Sequence, residues 1–393
     1  MKISILSDFH IGFGLGTERE EDAYDGMKEC IEKSMDCDLI LMAGDIFDVR
    51  NPSAEMLAKT MEIMLEPLLE ERKFDVIRFI DSDKQIAPMT ELGIPIIAIH
   101  GTHERRAKGQ MNPVEAVEKA GFIIYLHCNG VILERGEEKV CVQGMSGVPD
   151  QYAESVLKNW DPKPIPGYLN IFMIHQSISQ FLYAPHAIDI NVLPKGFDLY
   201  ICGHMHEAKK SSYDGKPVLI PGSPITTQIT KDSVNPRGFW KIDVQKNQIK
   251  NIDWVQIEKQ RKVYYLEFED ESRIVEKIDE ILKKPHDKKP LLKIVAPEIK
   301  DSLINEIKIR FGEKCIISFK KEVVEKPVLA AKTLNEQKLS VSELGRKLFR
   351  ENLEKKNLDV QTFESIFEFL ENDDYEKALE LLKEKIKSNP SDK

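Results

Sequence analysis

The sequence lacks two features that would each assign it to a particular class of protein. Its six cysteines include no pair with CxxC spacing, which excludes zinc-ribbon and thioredoxin-type motifs. No apolar run reaches the roughly 18 residues of a membrane-spanning helix, and the run at residues 1–6 is too short for a signal peptide. We therefore expect a cytoplasmic protein without a membrane partner, in which the scattered cysteines act mostly as small buried thiols.

An excess of positive charge is lacking as well. The 393 residues include 56 Lys and Arg against 66 Asp and Glu, which gives a formal net charge of −10. An acidic balance argues weakly against a protein that coats nucleic acid through bulk charge, without excluding a local basic or metal-rich surface. The hydrophobic fraction of 41% and the charged fraction of 31% are those of an ordinary globular chain, and its length suggests two or three domains.

Short apolar runs alternate with amphipathic segments over the first part of the chain. Runs rich in β-branched residues and Leu, without polar alternation, are typical of strands buried on both faces; they occur at residues 2–7, 39–43, 94–99, 170–174 and 197–202. Apolar residues at helical spacing predict helices within 18–35 and 53–69. The pattern predicts an α/β layered domain, in which ligands collect at the carboxyl ends of the strands.

The rest of the chain divides into smaller segments. Strand-like and helix-like stretches predict a small α+β domain after the first domain, and a region without clear period predicts a linker. Short amphipathic helical patterns follow, which either dock on the main body or bind a partner, because they cannot bury their apolar faces alone. The expected boundaries are 1–238 for the first domain, 239–320 for the second, 321–339 for the linker and 340–393 for the helical tail.

Each strand end in the first domain carries side chains that can bind a metal. In chain order they are Asp8 and His10, Asp45 and Asp48, His103 and Glu104, His175, and His204 and His206. Imidazoles combined with carboxylates suit Mn²⁺, Fe²⁺ or Zn²⁺ better than Mg²⁺ or Ca²⁺. Any one fragment is common by chance, but a purely structural account would place about seven such groups at one sheet edge for no purpose. The set predicts a metal centre in which a carboxylate such as Asp45 bridges two ions for phosphoryl transfer.

As a set, these motifs resemble the signature of the calcineurin-like metallophosphoesterases. The resemblance implies a β-sandwich flanked by helices. It implies metal ligands as follows: Asp8, His10, Asp45 and His206 for one ion, and Asp45, His175 and His204 for a second. It also implies that His103 faces the scissile phosphate and stabilises charge or protonates the leaving oxygen, and that Asp48 orients a ligand.

The small domain and the helical tail make the whole chain similar to the archaeal double-strand-break repair nucleases of the meiotic recombination eleven family, called SbcD in bacteria. That resemblance implies two Mn²⁺ per subunit, 3′→5′ exonuclease activity on double-stranded DNA and endonuclease activity on single strands or hairpins. It implies that the small domain caps the site and contacts DNA ends, and that the nuclease domain forms a homodimer. The helices at 340–393 would bind an SMC-like ABC ATPase of the SbcC type.

One residue departs from the family pattern. Thr102 stands where the third motif usually has Asn, whose amide oxygen binds the second metal. A hydroxyl is a poorer neutral ligand, so we expect weaker binding at the second site, with a water or His100 in the vacant position. Two other functions stay open: a phosphoesterase for small phosphodiesters with the small domain as lid, and a nuclease-impaired scaffold for the ATPase.

Several groups outside the metal centre could contact DNA. The segment Phe181-Leu182-Tyr183 follows His175 and either touches substrate or packs. The basic candidates are Arg105, Arg106 and Lys108 after the third motif, and Lys283, Lys284, Lys288 and Lys289, the densest basic cluster of the second domain. Each basic group could instead be a solvated loop.

Overall fold

The computed structural model describes residues 1–71, 74–107, 109–321, 349–350, 353, 359–371, 379 and 381–383. The chain divides into two units, Met1–Val323 and Val324–Lys393, each of which is described by itself. Within the described residues, no helix combines the length and apolarity that crossing a membrane requires.

Two large sheets and one small sheet make up the first unit. Its strands in chain order are β1 Lys2–Leu6, β2 Leu39–Met42, β3 Asp75–Ile80, β4 Ile96–Ala98, β5 Ile124–Tyr125, β6 Asn129–Arg135, β7 Glu138–Met145, β8 Leu169–His175, β9 Leu199–Gly203, β10 Lys209–Tyr213, β11 Lys216–Ile220, β12 Gly238–Gln245, β13 Gln248–Gln256, β14 Val263–Glu267, β15 Leu291–Ala296 and β16 Ile316–Lys321. Its helices are α1 Asp22–Glu32, α2 Ala54–Leu68, α3 Pro113–Lys119, α4 Asp150–Trp160, α5 Ile274–Leu282 and α6 Asp301–Phe311. The sheets have the strand orders β13-β12-β1-β2-β4-β5, β10-β11-β9-β8-β7-β6-β3 and β14-β15-β16.

The two large sheets form a sandwich with helices on its outer faces. Successive side chains of a strand point to opposite faces, so neighbouring residues enter different hydrophobic clusters. Ile5 of β1 packs between the sheets together with Ile171 of β8, whereas Leu6 packs among residues of α1 and α2. Phe172 of β8 points the other way, into a cluster with Leu157 of α4. The sandwich flanked by helices that the family resemblance implies is confirmed.

Local sequence accounts for where the helices begin. The Ser53 hydroxyl accepts a hydrogen bond from the Met56 amide at 3.3 Å and caps α2. The Asn112 side chain accepts from the Glu115 amide at 2.9 Å, and Pro113 occupies the first turn of α3, where its missing N–H costs nothing. Both helices therefore begin where a capping side chain stands in the sequence.

Parallel pairing brings the strand ends of the sandwich to one edge. β1, β2, β4 and β5 run parallel in the first sheet, and β7, β8, β9 and β11 run parallel in the second. The carboxyl ends of these parallel strands therefore lie on the same side of each sheet. The two edges meet, because His175 at the end of β8 lies against Asp45 after β2.

The structure moves the boundary of the second domain. Residues 239–256, assigned from the sequence to the second domain, pair with the first sheet: β12 runs antiparallel to β1, and β13 to β12. The small sheet begins at Val263, and its three strands are parallel, with α5 and α6 between them. The strand pattern after β11 did not reveal which sheet β12 and β13 join, because that depends on pairing with β1, far away in sequence.

The described part of the second unit contains helix α7, Val360–Glu371. The Phe349 ring lies 5.1 Å from the Phe367 ring, and Arg350 Nε donates to Glu364 Oε1 at 2.9 Å. Phe363, Ile366 and Phe367 have the helical spacing that predicts this helix within the tail. Of the other apolar residues with helical spacing in the tail, Val341, Leu344, Leu348 and Ile386 lie outside the described residues, as does nearly all of the expected linker.

Candidate metal centre

Four of the expected metal ligands have an unusual backbone conformation. Asp8, His10, Asp45 and His204 have φ of 55°, 53°, 48° and 81°, in the left-handed region that side chains with a Cβ rarely adopt. Such residues cost of order 1–3 kcal/mol each and cluster at functional sites. Backbone hydrogen bonds hold the first two in place: the Asp8 amide donates to the Gly44 carbonyl at 2.9 Å and the His10 amide to the Asp45 carbonyl at 3.0 Å.

One group of ligands consists of Asp8, His10 and His206. The His10 and His206 Nε2 atoms lie 3.0 Å apart, and Asp8 Oδ1 lies 3.9 Å from the first and 3.8 Å from the second. Atoms about 2.1 Å from one ion are about 3.0 Å apart at right angles and up to about 4.2 Å apart when opposite. The three atoms therefore surround a space of the size that a divalent transition-metal ion needs.

A second group consists of Asp45, His175 and His204. His175 Nδ1 donates to the Ala43 carbonyl at 2.7 Å, so the lone pair of the neutral ring would be on Nε2, which lies 3.2 Å from Asp45 Oδ2. The other carboxylate oxygen of Asp45, Oδ1, accepts the His103 amide at 2.9 Å. The loop that carries Asp45 also contacts the first group, because the Asp45 carbonyl accepts the His10 amide at 3.0 Å.

The donor atoms fit a bound cation. Asp8 Oδ1 and His175 Nε2 are fully buried and find no hydrogen-bond partner among the described residues. Burying an unpartnered carboxylate oxygen or imidazole nitrogen costs free energy, and a divalent cation removes that cost at both atoms. The close approach of the His10 and His206 nitrogens is likewise relieved when both lone pairs point at one cation.

Burial and neighbouring charges shift the pKa values of the candidate ligands. Burial raises the pKa of Asp8 to about 6. Although burial opposes the charge of His175, the Asp45 carboxylate raises its pKa to about 9. Burial and the charges of neighbouring histidines lower the pKa of His204 to about 4 and that of His206 to about 3. The last two are therefore neutral at pH 7 and have lone pairs free for a metal.

His103 and Asp48 lie beside the first group. Asp48 Oδ1 lies 2.9 Å from His10 Nδ1 and 3.3 Å from His103 Nδ1, so one carboxylate orients both rings. His103 Nδ1 is also 3.2 Å from the Asp48 carbonyl. The His103 side chain is 45% exposed, whereas that of His10 is 1% exposed. His103 is thus the histidine of this cluster that opens to solvent.

Two glycines make the close approach of these loops possible. Gly44 has φ of +95°, and a Cβ there would lie 2.4 Å from His175 Nδ1. A Cβ on Gly101 would lie 2.1 Å from Asp45 Oδ1. The buried Glu104 carboxylate joins the same two loops, because it accepts the Phe47 amide at 2.8 Å and the Gly101 amide at 2.7 Å.

Thr102 lies next to the second group, with its hydroxyl 3.5 Å from His204 Nδ1. His100, which was considered as a replacement ligand, is engaged elsewhere: Nδ1 is 2.6 Å from the Tyr125 hydroxyl and Nε2 is 3.1 Å from the Gly147 carbonyl. Burial lowers the pKa of His100 to about 3, so it is a neutral, hydrogen-bonded core residue. The position that the family fills with an amide is here filled by a hydroxyl.

Sequence reasoning missed the residues that orient the ligands from the segment after β11. The Thr227 hydroxyl is 2.9 Å from His206 Nδ1, and the Ser223 hydroxyl donates to the Asp8 carbonyl at 2.7 Å. Arg237 Nη1 donates to the His206 carbonyl at 2.6 Å. The spacing of these residues in the sequence does not distinguish them from other polar residues. They lie beside the ligands only because the folded chain brings the segment after β11 back to the sheet edge.

The basic candidates are largely engaged within the protein. Lys288 Nζ is 2.6 Å from Asp25, and Lys289 Nζ is 2.8 Å from Glu18, so half of the expected basic cluster joins the small domain to α1 and the loop before it. Arg106 donates to Gln110 and to the Arg50 carbonyl. Lys108 lies outside the described residues.

A family model described as calcineurin-like phosphoesterase matches residues 1–208. The chain is similar to the DNA double-strand break repair protein Mre11 of Methanopyrus kandleri, with 22% identity over 346 residues that cover 81% of this chain and 70% of that protein. It is similar to Mre11 of Sulfolobus acidocaldarius, with 26% identity over 351 residues, 82% of this chain and 85% of that protein. The match to double-strand break repair protein MRE11 of rice (Oryza sativa subsp. indica) has 22% identity and covers 80% of this chain but 53% of that longer protein.

Proposed function

The chain belongs to the calcineurin-like phosphoesterase family, and from that premise we propose that it is a Mn²⁺-dependent nuclease that processes DNA double-strand breaks. Its activities would be 3′→5′ exonuclease cleavage of double-stranded DNA and endonuclease cleavage of single strands or hairpins. The observation that carries the proposal is the pair of ligand groups at one sheet edge, Asp8–His10–His206 and Asp45–His175–His204. The similarity to archaeal Mre11 proteins over four-fifths of the chain supports DNA as the substrate.

Two Mn²⁺ would be held by these groups, with Asp45 between them. When bound, the ions would polarise the phosphodiester and lower the pKa of an attacking water. The protein contributes orientation: Ala43 fixes the tautomer of His175, and Thr227 contacts the outer nitrogen of His206. Mixed imidazole and carboxylate donors favour Mn²⁺ over Mg²⁺, because Mg²⁺ prefers an all-oxygen shell.

His103 would protonate the leaving oxygen or stabilise charge on the phosphate. A proton on Nδ1, donated to Asp48, leaves Nε2 of this half-exposed ring for the substrate. Its backbone amide holds Asp45 at the same time, so the loop that presents the acid also fixes the bridging carboxylate. Asp48 would therefore be a positioning residue for both His10 and His103.

We also propose that the chain consists of a nuclease domain, a small capping domain at DNA ends and a helical module at 340–393 that binds an SMC-like ABC ATPase of the SbcC type. The nuclease domain would form a homodimer, and the protein would work in the cytoplasm. The names of the Mre11 relatives support the role in break repair.

The test is digestion of end-labelled duplex and hairpin DNA by the purified chain, with Mn²⁺, with Mg²⁺ and with EDTA. We expect the duplex strand to be shortened stepwise from its 3′ end and the hairpin to be opened, and we expect both only in the reactions with Mn²⁺. A parallel assay with bis(p-nitrophenyl) phosphate separates the nuclease from an enzyme for small phosphodiesters. Cleavage of the small ester with no cleavage of either DNA would contradict the proposal.

Two variants identify the group that acts on the phosphate. His103→Ala should lower the cleavage rate about 100-fold or more, the usual contribution of a positioned general acid. His127→Ala removes an exposed histidine that belongs to none of the metal-ligand groups, and it should leave the rate unchanged. If His103→Ala retains the full rate, His103 is not the acid. If His103→Ala loses cleavage but leaves DNA repair in cells unchanged, a nuclease-impaired scaffold for the ATPase becomes the better account.

A further inference from the structure

The loop at residues 176–190 follows a candidate metal ligand and carries an exposed aromatic tip. It follows His175 at the end of β8, and its neck is closed by two hydrogen bonds: the Ile188 amide donates to the Ser177 carbonyl at 3.0 Å and the Ser179 amide to the Ile188 carbonyl at 2.9 Å. The Gln180 side chain accepts the Ile190 amide at 3.0 Å and braces the same neck. The loop is therefore held in one shape before any ligand binds.

The tip of this loop exposes apolar side chains to solvent. Tyr183 is 97% exposed and Leu182 is 37% exposed, whereas Phe181 at their base packs against the hydrophobic cluster of the second sheet. A fully exposed tyrosine on a braced loop gains nothing from folding, since it buries no surface. It is placed to contact something outside the protein.

Positive charge lies next to the aromatic tip. Lys209 Nζ is 5.3 Å from the centre of the Phe181 ring, and Lys209 and Lys210 begin β10, an edge strand, three residues after His206. Both lysines are exposed, and within the described part of the chain neither forms an ion pair. This differs from Lys288 and Lys289, whose charges are neutralised by carboxylates.

We propose that the Leu182–Tyr183 tip stacks on an unpaired base of a DNA strand, while Lys209 binds a phosphate beside it. Stacking on an aromatic ring together with neighbouring cations is how proteins hold single-stranded nucleic acid without reading its sequence. An unpaired base is required, because the faces of bases inside a duplex are covered by their neighbours. The inference rests on the proposed nuclease function and specifies the strand that the site receives: a single strand or a frayed end.

The contributions of charge and of base stacking to DNA binding can be separated with two oligonucleotides of equal length. One consists of thymidylate and the other is abasic. Both carry a fluorescent label and phosphorothioate linkages, which slow hydrolysis, so binding is measured by anisotropy on the full chain with Mn²⁺. Tyr183→Ala should weaken binding of the thymidylate strand about five- to a hundredfold and leave binding of the abasic strand unchanged. Tyr183→Phe, which keeps the ring, should restore the affinity.

The lysine variant tests the other half of the proposal. Lys209→Gln should weaken binding of both strands by similar factors and lower the slope of log affinity against log salt by about one. Tyr152→Ala is the matched control, because Tyr152 is an exposed tyrosine (54%) on helix α4 outside the loop. Circular dichroism of each variant shows whether the fold is retained.

Each result decides between the two proposals. If Tyr183→Ala binds the thymidylate strand as the wild type does, or loses affinity equally for both strands, the stacking site is wrong while the nuclease proposal stands. If the wild-type protein neither binds nor cleaves DNA, the proposed function fails, and the stacking site fails with it.

Discussion

The side chains at the candidate metal centre can each donate a lone pair to a metal ion, and their placement costs conformational free energy in the backbone. Asp8, His10 and Asp45 all have positive φ, although none is glycine. A stretch of backbone amides and carbonyls between the two loops stabilises these conformations, as the bond from the Asp8 amide to the Gly44 carbonyl shows. The strain is therefore a property of the site and not of either loop alone.

Thr102→Asn should strengthen the second metal site, because an amide oxygen is a better neutral ligand than a hydroxyl next to His204. We expect the dissociation constant of the weaker Mn²⁺ site to fall about tenfold. This lies within the range by which residues around metal sites change affinity. Calorimetric titration with Mn²⁺ measures the constants without reference to catalysis. Thr17→Asn, in the loop before α1, is the control, and identical titrations for wild type and Thr102→Asn would contradict the prediction.

The stabilisation that Mn²⁺ gives should grow with pH. Without metal, Asp8 and His175 bind protons more tightly in the folded state, since their pKa values rise from 3.8 to about 6 and from 6.5 to about 9. Their contribution to the stability of the metal-free protein is complete below the unfolded values and is lost as the pH rises through about 6 and then 9. A cation competes with both protons, so it binds better as the pH rises.

The measurement is the difference in melting temperature between protein in Mn²⁺ and protein in EDTA, from about pH 5.5 to about pH 8. We expect the difference to increase steadily over this range. Asp8→Asn keeps the shape but removes the charge, and it should flatten the trend. A difference that is constant or falls with pH would show that these two groups do not bind the metal.

At the scale of elements, α1 is the joint between the sandwich and the small domain. Asp22 on α1 is 7% exposed, and both of its oxygens accept from Arg261 Nε at 2.8 Å, just before β14. Arg19 also donates to Asp22, and its other nitrogen reaches the Thr226 carbonyl, next to the residue that contacts His206. The contacts form a continuous path from the small domain to a metal ligand.

Asp22→Asn should destabilise this joint, because it leaves two buried guanidinium groups with a neutral partner. We expect a loss of about 3 kcal/mol in the free energy of unfolding, measured in urea, since breaking a buried ion pair from one side is costly. Asp25→Asn removes the exposed partner of Lys288 and should cost less than about 1 kcal/mol. Equal losses for the two variants would show that burial of Asp22 is not what stabilises the joint.

The order of the elements could be predicted to a large extent from local patterns. β1, β2, β4, β8 and β9 all lie within the predicted strand regions or one residue beyond them, because continuous apolar runs are a local signal. The assignment of β12 and β13 could not be predicted in this way. β12 is mostly buried or partly buried and β13 has no buried residue, a pattern that suits several sheets equally well, and the pairing of β12 with β1 decides the matter.

At the scale of the whole molecule, the acidic balance is compatible with a DNA substrate. Asp8 and Asp45 are negative at a site suited to cations, which would reverse the local field. Lys209 and Lys210 form no ion pair with any described residue, whereas Lys288 and Lys289 are paired. Net charge therefore says little about substrate here, since the distribution of charge matters more than its sum.

Deletion of residues 340–393 should separate the two proposed functions of the chain. We expect the ATPase to be lost from the purified complex while Mn²⁺-dependent cleavage of DNA by the remaining chain persists, because the metal centre lies within Met1–Val323. Co-purification with a tagged ATPase measures the first property and digestion of labelled DNA the second. Tight binding of the truncated chain to the ATPase would show that the partner contacts another surface.

The sequence by itself determined the chemistry: which donor side chains follow which strands, and that Thr102 replaces an amide. It could do so because a donor at the end of an apolar run is local information. Only the tertiary structure decided which donors lie close enough to share an ion, that Asp48 orients both His10 and His103, and that Lys288 is neutralised whereas Lys209 is free of ion pairs among the described residues. These properties depend on distances between residues far apart in the chain, and only the packing of the two sheets and the small domain sets those distances.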